Sequence, residues 1–488
     1  MSRKLSLCCA GLALAISTAL AADQAPLIDI QPPSTVSTTA LPAPSTPSEH
    51  WTPPDRKDPF VCEYLGENDC WKPSLPGGGA PYSHDGNWPK RRKTCVVEAG
   101  GKPDGDDAPA ILAAFEECKT DGHVVFSNTT YYVRSVLNTT GLRHVDVEVN
   151  GTLLWSDDIE YWTANSLPIG FQNQTSAWHI GGDYIHFYGH GVGTLDGNGQ
   201  VWYDWNQGRS NMHGRPHAIT ITDTTESVIE GLRFVQSQMW TMTVARSERV
   251  LLQDIYANCT AGPGRDFRSI VNTDGVDTVY ANNITFLRWV VDNGDDSISM
   301  KQNSTNIYIA NCTFYRGLSF AMGSIGQYPG QINVIENVTA ENIVLYDTIW
   351  GARIKTWTGV NTGYPPNGGG GGFGHARNIT FRDFQMHNVE RAWGITQCTS
   401  YNGVAGGCDT SRFKITDMHW GQARGTVRGD QVATLDCSGA APCERIELFD
   451  NELTVSGDGR DAKVYFCDNV VDDTGFECTE PCNDRCPH

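Results

Sequence analysis

Basic residues are in short supply: 36 Lys and Arg stand against 56 Asp and Glu, for a formal net charge of −20. So acidic a surface does not draw nucleic acid or anionic membranes by charge, which removes those partners. It also repels a polyanionic substrate unless basic residues gather at the site. Long apolar runs are missing after residue 21, so nothing beyond that point is expected to span a bilayer. Paired Cys-x2-Cys signatures are absent, and the tail cluster Cys467, Cys478, Cys482 and Cys486 therefore reads as disulfides rather than a zinc site. Neither a metal nor another cofactor is expected. Hairpin turn pairs are scarce, which disfavours an up-and-down barrel. The glycine run Gly368–Gly372 lacks the Lys-Ser/Thr of a phosphate loop.

The chain opens with Arg3-Lys4, an apolar run and Ala19-Leu20-Ala21, the pattern of a secretory signal peptide over 1–21. Its loss takes the charge from −20 to −22, because Arg3 and Lys4 leave. It also removes Cys8 and Cys9 from the 16 cysteines, leaving an even set expected to form disulfides in an oxidising compartment. The mature protein is thus expected outside the cell. Residues 22–58 are a Pro/Ser/Thr-rich lead-in with little to bury, and 59–488 form the folded domain. Asn-x-Ser/Thr sequons recur, among them Asn128, Asn138, Asn283, Asn337 and Asn378.

Asp106-Asp107-Ala108-Pro109 followed by Ala110–Phe115 predicts one N-terminal helix, its acidic cluster a cap rather than a calcium site. From about Val124 the texture changes to short β-branched runs punctuated by Asn, Gly and Asp. Examples are Val228–Leu232, Val250–Ile255, Asn283–Leu287, Asn306–Ile309 and Asn378–Phe381. Units of roughly 20 to 30 residues cannot bury an apolar face alone but can by stacking. The expected fold is all-β: a single right-handed parallel β-helix with a short N-terminal helix and disulfide-tethered termini.

Three acidic residues lie about one repeat apart in that region: Asp274 in Asn272-Thr273-Asp274-Gly275, and Asp295-Asp296 after Gly294. Cleaving a glycosidic bond needs one carboxyl to protonate the leaving oxygen and another to activate water. Crowded carboxylates push each other's pKa values apart, so one site can hold both forms. Coils about 4.8 Å apart would bring the three acids, Leu318 and the pair Arg353/Lys355 onto one face. Alternation sends Arg353 and Lys355 outward and Ile354 into the core. An acidic enzyme needs such a basic pair to hold a uronate.

In order and spacing, Asn272–Gly275, Gly294-Asp295-Asp296, Gly323-Ser324-Ile325-Gly326 and Arg353-Ile354-Lys355 resemble family 28 of the glycoside hydrolases, the polygalacturonase family. Gln327-Tyr328-Pro329-Gly330 resembles its exo-acting fungal branch. The resemblance implies hydrolysis with inversion, Asp295 as proton donor, and Asp274 and Asp296 orienting and deprotonating water. The carboxyl groups would stand roughly 6.5 to 9.5 Å apart. It also implies Asn272, Arg353, Lys355, Gln397 and Tyr401 as substrate contacts, a pectic poly- or oligosaccharide as partner, and a monomer.

Two positions depart from the family's pattern. Leu318 stands where its Gly-His-Gly motif has histidine, and Ser297 where many members have cysteine. Leucine donates no hydrogen bond, and an apolar surface suits a methyl-bearing sugar such as rhamnose; His179, His190 and His217 are candidates for compensation. The expectation is release of terminal α-L-rhamnose from rhamnogalacturonan, with exo-polygalacturonase as the alternative. Remoter readings are a calcium-dependent pectate lyase and a non-catalytic carbohydrate-binding β-helix. The Gly368–Gly372 loop either overhangs one end of the cleft or is a slack linker.

Overall fold

The computed structural model describes residues 91–262, 266–401, 407–482 and Cys486. The signal peptide, the lead-in, the start of the folded domain at 59, and Cys62 and Cys70 lie outside the described residues.

Almost every strand pairs in parallel with the strand one coil later. One core column runs Ile219, Met242, Val276, Ile298, Phe320, Ala352, Trp393 and Ala433. Each coil supplies three walls, as in Met242–Ala245, Glu248–Gln253 and Tyr256–Asn258, followed by Val276–Val279, Asn282–Leu287 and Val290–Asn293. This is the expected parallel β-helix. Inward residues stack on their own kind: Phe381 lies 5.8 Å from Phe320 and 5.7 Å from Trp420 by ring centroid. Such stacked rings add about 0.5–1.5 kcal/mol per pair beyond area burial.

The recurring Asn and Asp have a backbone cause. Each wall ends in a corner whose residue sits in the left-handed region, which Asn and Asp tolerate best. One corner column is Asp254, Arg288, Asn311, Asn342 and Asp383, with φ between 53° and 58°. Another carries Asn283, Asn306, Asn337 and Asn378, where Asn378 donates to Asn337 (2.7 Å) and Asn337 to Asn306 (2.9 Å). Sequon asparagines thus double as corner residues.

The helix Ala108–Glu117 forms as expected and buries Ile111, Ala114 and Phe115. Asp106 accepts the backbone N–H of Ala108 and Arg134, and Asp107 those of Gly100 and Tyr132, so these carboxylates are spent on the chain. Disulfides join Cys95–Cys118, Cys398–Cys408, Cys437–Cys443, Cys467–Cys478 and Cys482–Cys486. Full pairing is not met: Cys259 and Cys312 are free thiols buried in the solenoid.

Candidate active site

Strand register decides which acids meet. Val276 pairs with Ile298, so Asp274, two residues before Val276, falls opposite Asp296, and Gly275 donates its N–H to the Asp296 carbonyl (2.9 Å). Asp295 sits at the turn before that strand. Its two carboxylate oxygens accept the backbone N–H of Asn272 (2.8 Å) and of Asp296 (2.9 Å). Buried Asn293 locks both turns by donating to the carbonyls of Thr273 (2.9 Å) and Asp296 (3.0 Å). The next coil must approach closely. A Cβ on Gly317 (φ +58°) would lie 2.2 Å from the Asn293 Oδ1 and 2.5 Å from the Asp295 carbonyl, so only glycine fits.

One oxygen from each of Asp274, Asp295 and Asp296 lies within 4.8 Å of the others. Asp274 and Asp296 are buried, and Asp295 is partly open. Arg353 donates to the Asp296 Oδ1 (3.0 Å) and Lys355 to its Oδ2 (2.8 Å), while Ile354 is in the core. A third cation approaches from beneath. The Lys301 Nζ is 3.8 Å from the Asp296 Oδ2 and 3.0 Å from the Asp277 Oδ1.

Electrostatics separates the acids. Burial, then the carboxylates of Asp277, Asp295 and Asp296, push Asp274 well above the usual range, so it keeps its proton. Burial alone would raise Asp296 too, but Lys355, Arg353 and Lys301 hold it well below the usual range, so it stays charged. By distance the trio could surround a cation. Three side-chain cations already supply that charge, and a divalent ion would be repelled by them.

The spacing expectation is corrected. One oxygen of each acid lies within 4.8 Å of the others, because Asp295 and Asp296 are neighbours in one turn and Asp274 lies one coil away. Gln397 is corrected as well. It is fully buried, its amide donating to the Phe413 carbonyl (2.7 Å) and accepting from the Ser438 N–H (2.9 Å). Lys355 pairs with Thr396, so alternation turns the next residue away from the groove.

The other expected residues come together. Asn272 accepts from the Asn211 N–H (2.7 Å) and the Ser210 hydroxyl (3.0 Å), fixing its turn against the 207–215 segment. Tyr401 is 46% exposed, its hydroxyl 3.0 Å from that of Ser324 and its ring packed edge-on against Trp357. The half-buried Leu318 lies directly beyond Asp295, donating its N–H to that carbonyl (2.8 Å). None of the three histidines stands in for the missing one. Burial pushes His179 down to about 4, His190 pairs with Glu148, and His217 is buried with both ring nitrogens bonded.

Sequence reasoning missed Asp277, Lys301 and Arg215, all buried. Arg215 binds the carbonyls of Gln238 (2.5 Å) and Val271 (3.0 Å) and acts electrostatically on Asp274 and Asp295. Register would have found Asp277, which heads the column Asp277, Ser299, Ala321, Arg353.

An apolar cluster and a pinned loop border the acidic trio. Buried Phe171, Met239, Trp240 and Val279 cluster with Tyr328, and the Trp240 ring lies 5.1 Å from the Lys301 Nζ. The Gly368–Gly372 segment is no slack linker. Gln327 donates to the carbonyls of Pro366 (2.8 Å) and Gly368 (2.9 Å) and accepts from Gln172 (2.5 Å), and Asn211 donates to Asn367 (3.1 Å). The loop therefore leaves the sheet just past Lys355 and comes down beside Asn272.

Arg353→Met tests the ion pairs. Losing one charged hydrogen bond should cost about 2 kcal/mol at neutral pH. Asp296 has a depressed folded pKa, so its stabilisation is present above the unfolded value and lost as pH falls through the folded one. The difference between variant and wild type, read from urea unfolding, should therefore shrink below about pH 4.

A family model for the glycosyl hydrolases family 28 matches residues 136–478. An alpha-L-rhamnosidase of Aspergillus niger is 46% identical over 389 residues, covering 80% of this chain and 90% of that protein. A putative galacturan 1,4-alpha-galacturonidase A of the same species is 37% identical over 405 residues, covering 78% and 92%. Among solved structures, the endo-xylogalacturonan hydrolase of Aspergillus tubingensis superposes with a TM-score of 0.66 at 24% identity, covering 79% of this chain and 99% of that one. The polygalacturonase of Erwinia carotovora gives 0.59 at 17% identity, covering 79% and 98%. At those identities the two structures speak for the fold alone.

Proposed function

The chain belongs to family 28 of the glycosyl hydrolases, and from that premise we propose an extracellular, monomeric, inverting exo-hydrolase that releases terminal α-L-rhamnose from rhamnogalacturonan. The observation that carries the reading is the gathering of three carboxyl groups, two partly exposed cations and Leu318 at the Asp295 turn, with the 366–372 loop pinned beside them. A loop standing across one end of the binding surface would admit a chain terminus and stop a chain passing through. Leucine beside Asp295 favours a methyl-bearing sugar over a uronate, and the similarity to an alpha-L-rhamnosidase points the same way.

In this mechanism Asp295, the most exposed of the three acids, gives its proton to the glycosidic oxygen. Inversion here follows from the family resemblance and not from the carboxyl spacing: water adds to the anomeric carbon from the other face and passes its proton to Asp296, the acid held charged. Asp274, which keeps its proton in the empty groove, orients that water as a hydrogen-bond donor. Arg353 and Lys355 turn from Asp296 to the galacturonate next to the scissile bond, where the guanidinium suits a planar carboxylate. Asn272 braces the Asp295 turn, and Tyr401 borders the groove near Arg353.

Release of galacturonic acid is the second reading, favoured by the similarity to galacturonidases. Product analysis on rhamnogalacturonan and homogalacturonan oligomers separates the two. We expect rhamnose from the first, with inverted anomeric configuration by NMR, and little sugar from the second. Galacturonic acid alone would transfer the assignment to the second reading. An ultraviolet-absorbing unsaturated product, or loss of activity in chelator, would remove hydrolysis altogether.

A further inference from the structure

Lys301 and Asp277 are fully buried charged groups for which the reaction above has no use. Burying an ion pair costs enough desolvation that apolar residues of like volume commonly serve stability as well or better. The arrangement around Lys301 is specific. Its Nζ donates to the Ser299 Oγ (2.8 Å) and the Gly323 carbonyl (2.8 Å), forms an ion pair with the Asp277 Oδ1 (3.0 Å), and is covered by the Trp240 ring. Burial keeps it from a sugar. Its charge nevertheless lies 3.8 Å from the Asp296 Oδ2, the oxygen that Lys355 also holds.

Those two groove cations have conflicting duties. In the empty groove both bind Asp296, yet a uronate in the groove competes for the same N–H groups. A buried carboxylate stripped of its cations would take up a proton and stop acting as a base. Lys301 is sealed off from substrate and cannot be drawn away.

We propose that Lys301 is a positioning residue, the fixed counter-ion that keeps Asp296 in place and ionised while Arg353 and Lys355 hold the substrate's carboxylate. Asp277 is its anchor, one coil earlier and in the same column as Ser299, Ala321 and Arg353. The inference rests on the proposed hydrolysis. Other charged or titratable groups facing this cluster are Asp274 and Asp295 from the two turns, Arg215 and His217 from the segment behind Trp240, and Tyr401 at the groove.

The test is the double variant Lys301→Met, Asp277→Asn, which removes the pair without leaving a buried charge unmatched. We expect its melting temperature to stay near the wild-type value and KM to change less than about threefold. The turnover number should fall at least about tenfold, within the range for losing a well-poised acid or base. Losing a cation raises the Asp296 pKa, so the acid limb of the kcat profile should move to higher pH. Lys301→Arg should restore much of the turnover. A folded double variant with wild-type kcat and an unmoved limb overturns the proposal. Should that variant not fold, Lys301→Gln is read through the same pH series, and wild-type behaviour there overturns it equally. A wild-type protein that releases no sugar from any pectic oligomer instead defeats the reading of function.

Discussion

Asp295→Asn should lower kcat by about 10³-fold with KM changed only a few-fold, within the range reported for removal of a general acid. The amide matches the carboxylate in shape, and its oxygen can still accept the Asn272 N–H; the Asp296 N–H loses its partner. That lost bond should cost about 1 kcal/mol of stability, leaving the fold and the groove in place. A further consequence marks the role as proton donation. A substrate whose leaving group departs without protonation should recover much of the lost rate, whereas the natural glycoside should not. Equal losses on both substrates would place Asp295 elsewhere in the mechanism. Retained sugar affinity by calorimetry, with no wild-type turnover to lose, would mark a binding protein.

Asp274→Asn should make the protein more stable at neutral pH and nearly inactive. Asp274 is buried, its Oδ1 has no hydrogen-bond partner, and Asp277, Asp295 and Asp296 crowd it with like charge. Its folded pKa therefore lies above its unfolded one. The sign follows: the folded state binds the extra proton, so this carboxyl costs stability increasingly as pH rises from about 4, its unfolded value, toward the folded value. An amide carries no such cost. Thermal melts should show the variant ahead of wild type at pH 7, with the gap closing as pH falls to about 4. Turnover should drop by about 10²-fold or more, because an amide can still orient the water but cannot share its proton with Asp296 as a carboxyl can. Sites that exchange stability for function behave this way. A variant less stable than wild type at pH 7 would mean that Asp274 is ionised and paired.

Much of this architecture is legible in residue order because a solenoid repeats locally. Asn283, Asn306, Asn337 and Asn378 recur since each coil needs a left-handed corner at the same place. Val276, Ile298 and Phe320 recur since each coil must fill the same core column. Counting along that period brings Asp274 to Asp296 and sends Arg353 and Lys355 outward. Gln397 comes from the family resemblance and not from the count: alternation past Thr396 already turns it inward, where its amide serves neighbouring coils instead of substrate.

What the sequence determined by itself is the set of properties carried by short range and repetition: a stacked sheet, an acidic trio on one wall, and a basic pair beyond it. Tertiary structure alone decided the opposite charge states of Asp274 and Asp296 and the loop contacts beside them. A carboxyl's proton depends on every charge within a few ångströms, and Lys301, Asp277 and Arg215 reach this site from different coils. The loop beside the acids depends on contacts such as Gln172 with Gln327 and Asn211 with Asn367, whose partners stand 155 and 156 residues apart. No local period links such residues. Only the folded chain brings them into register.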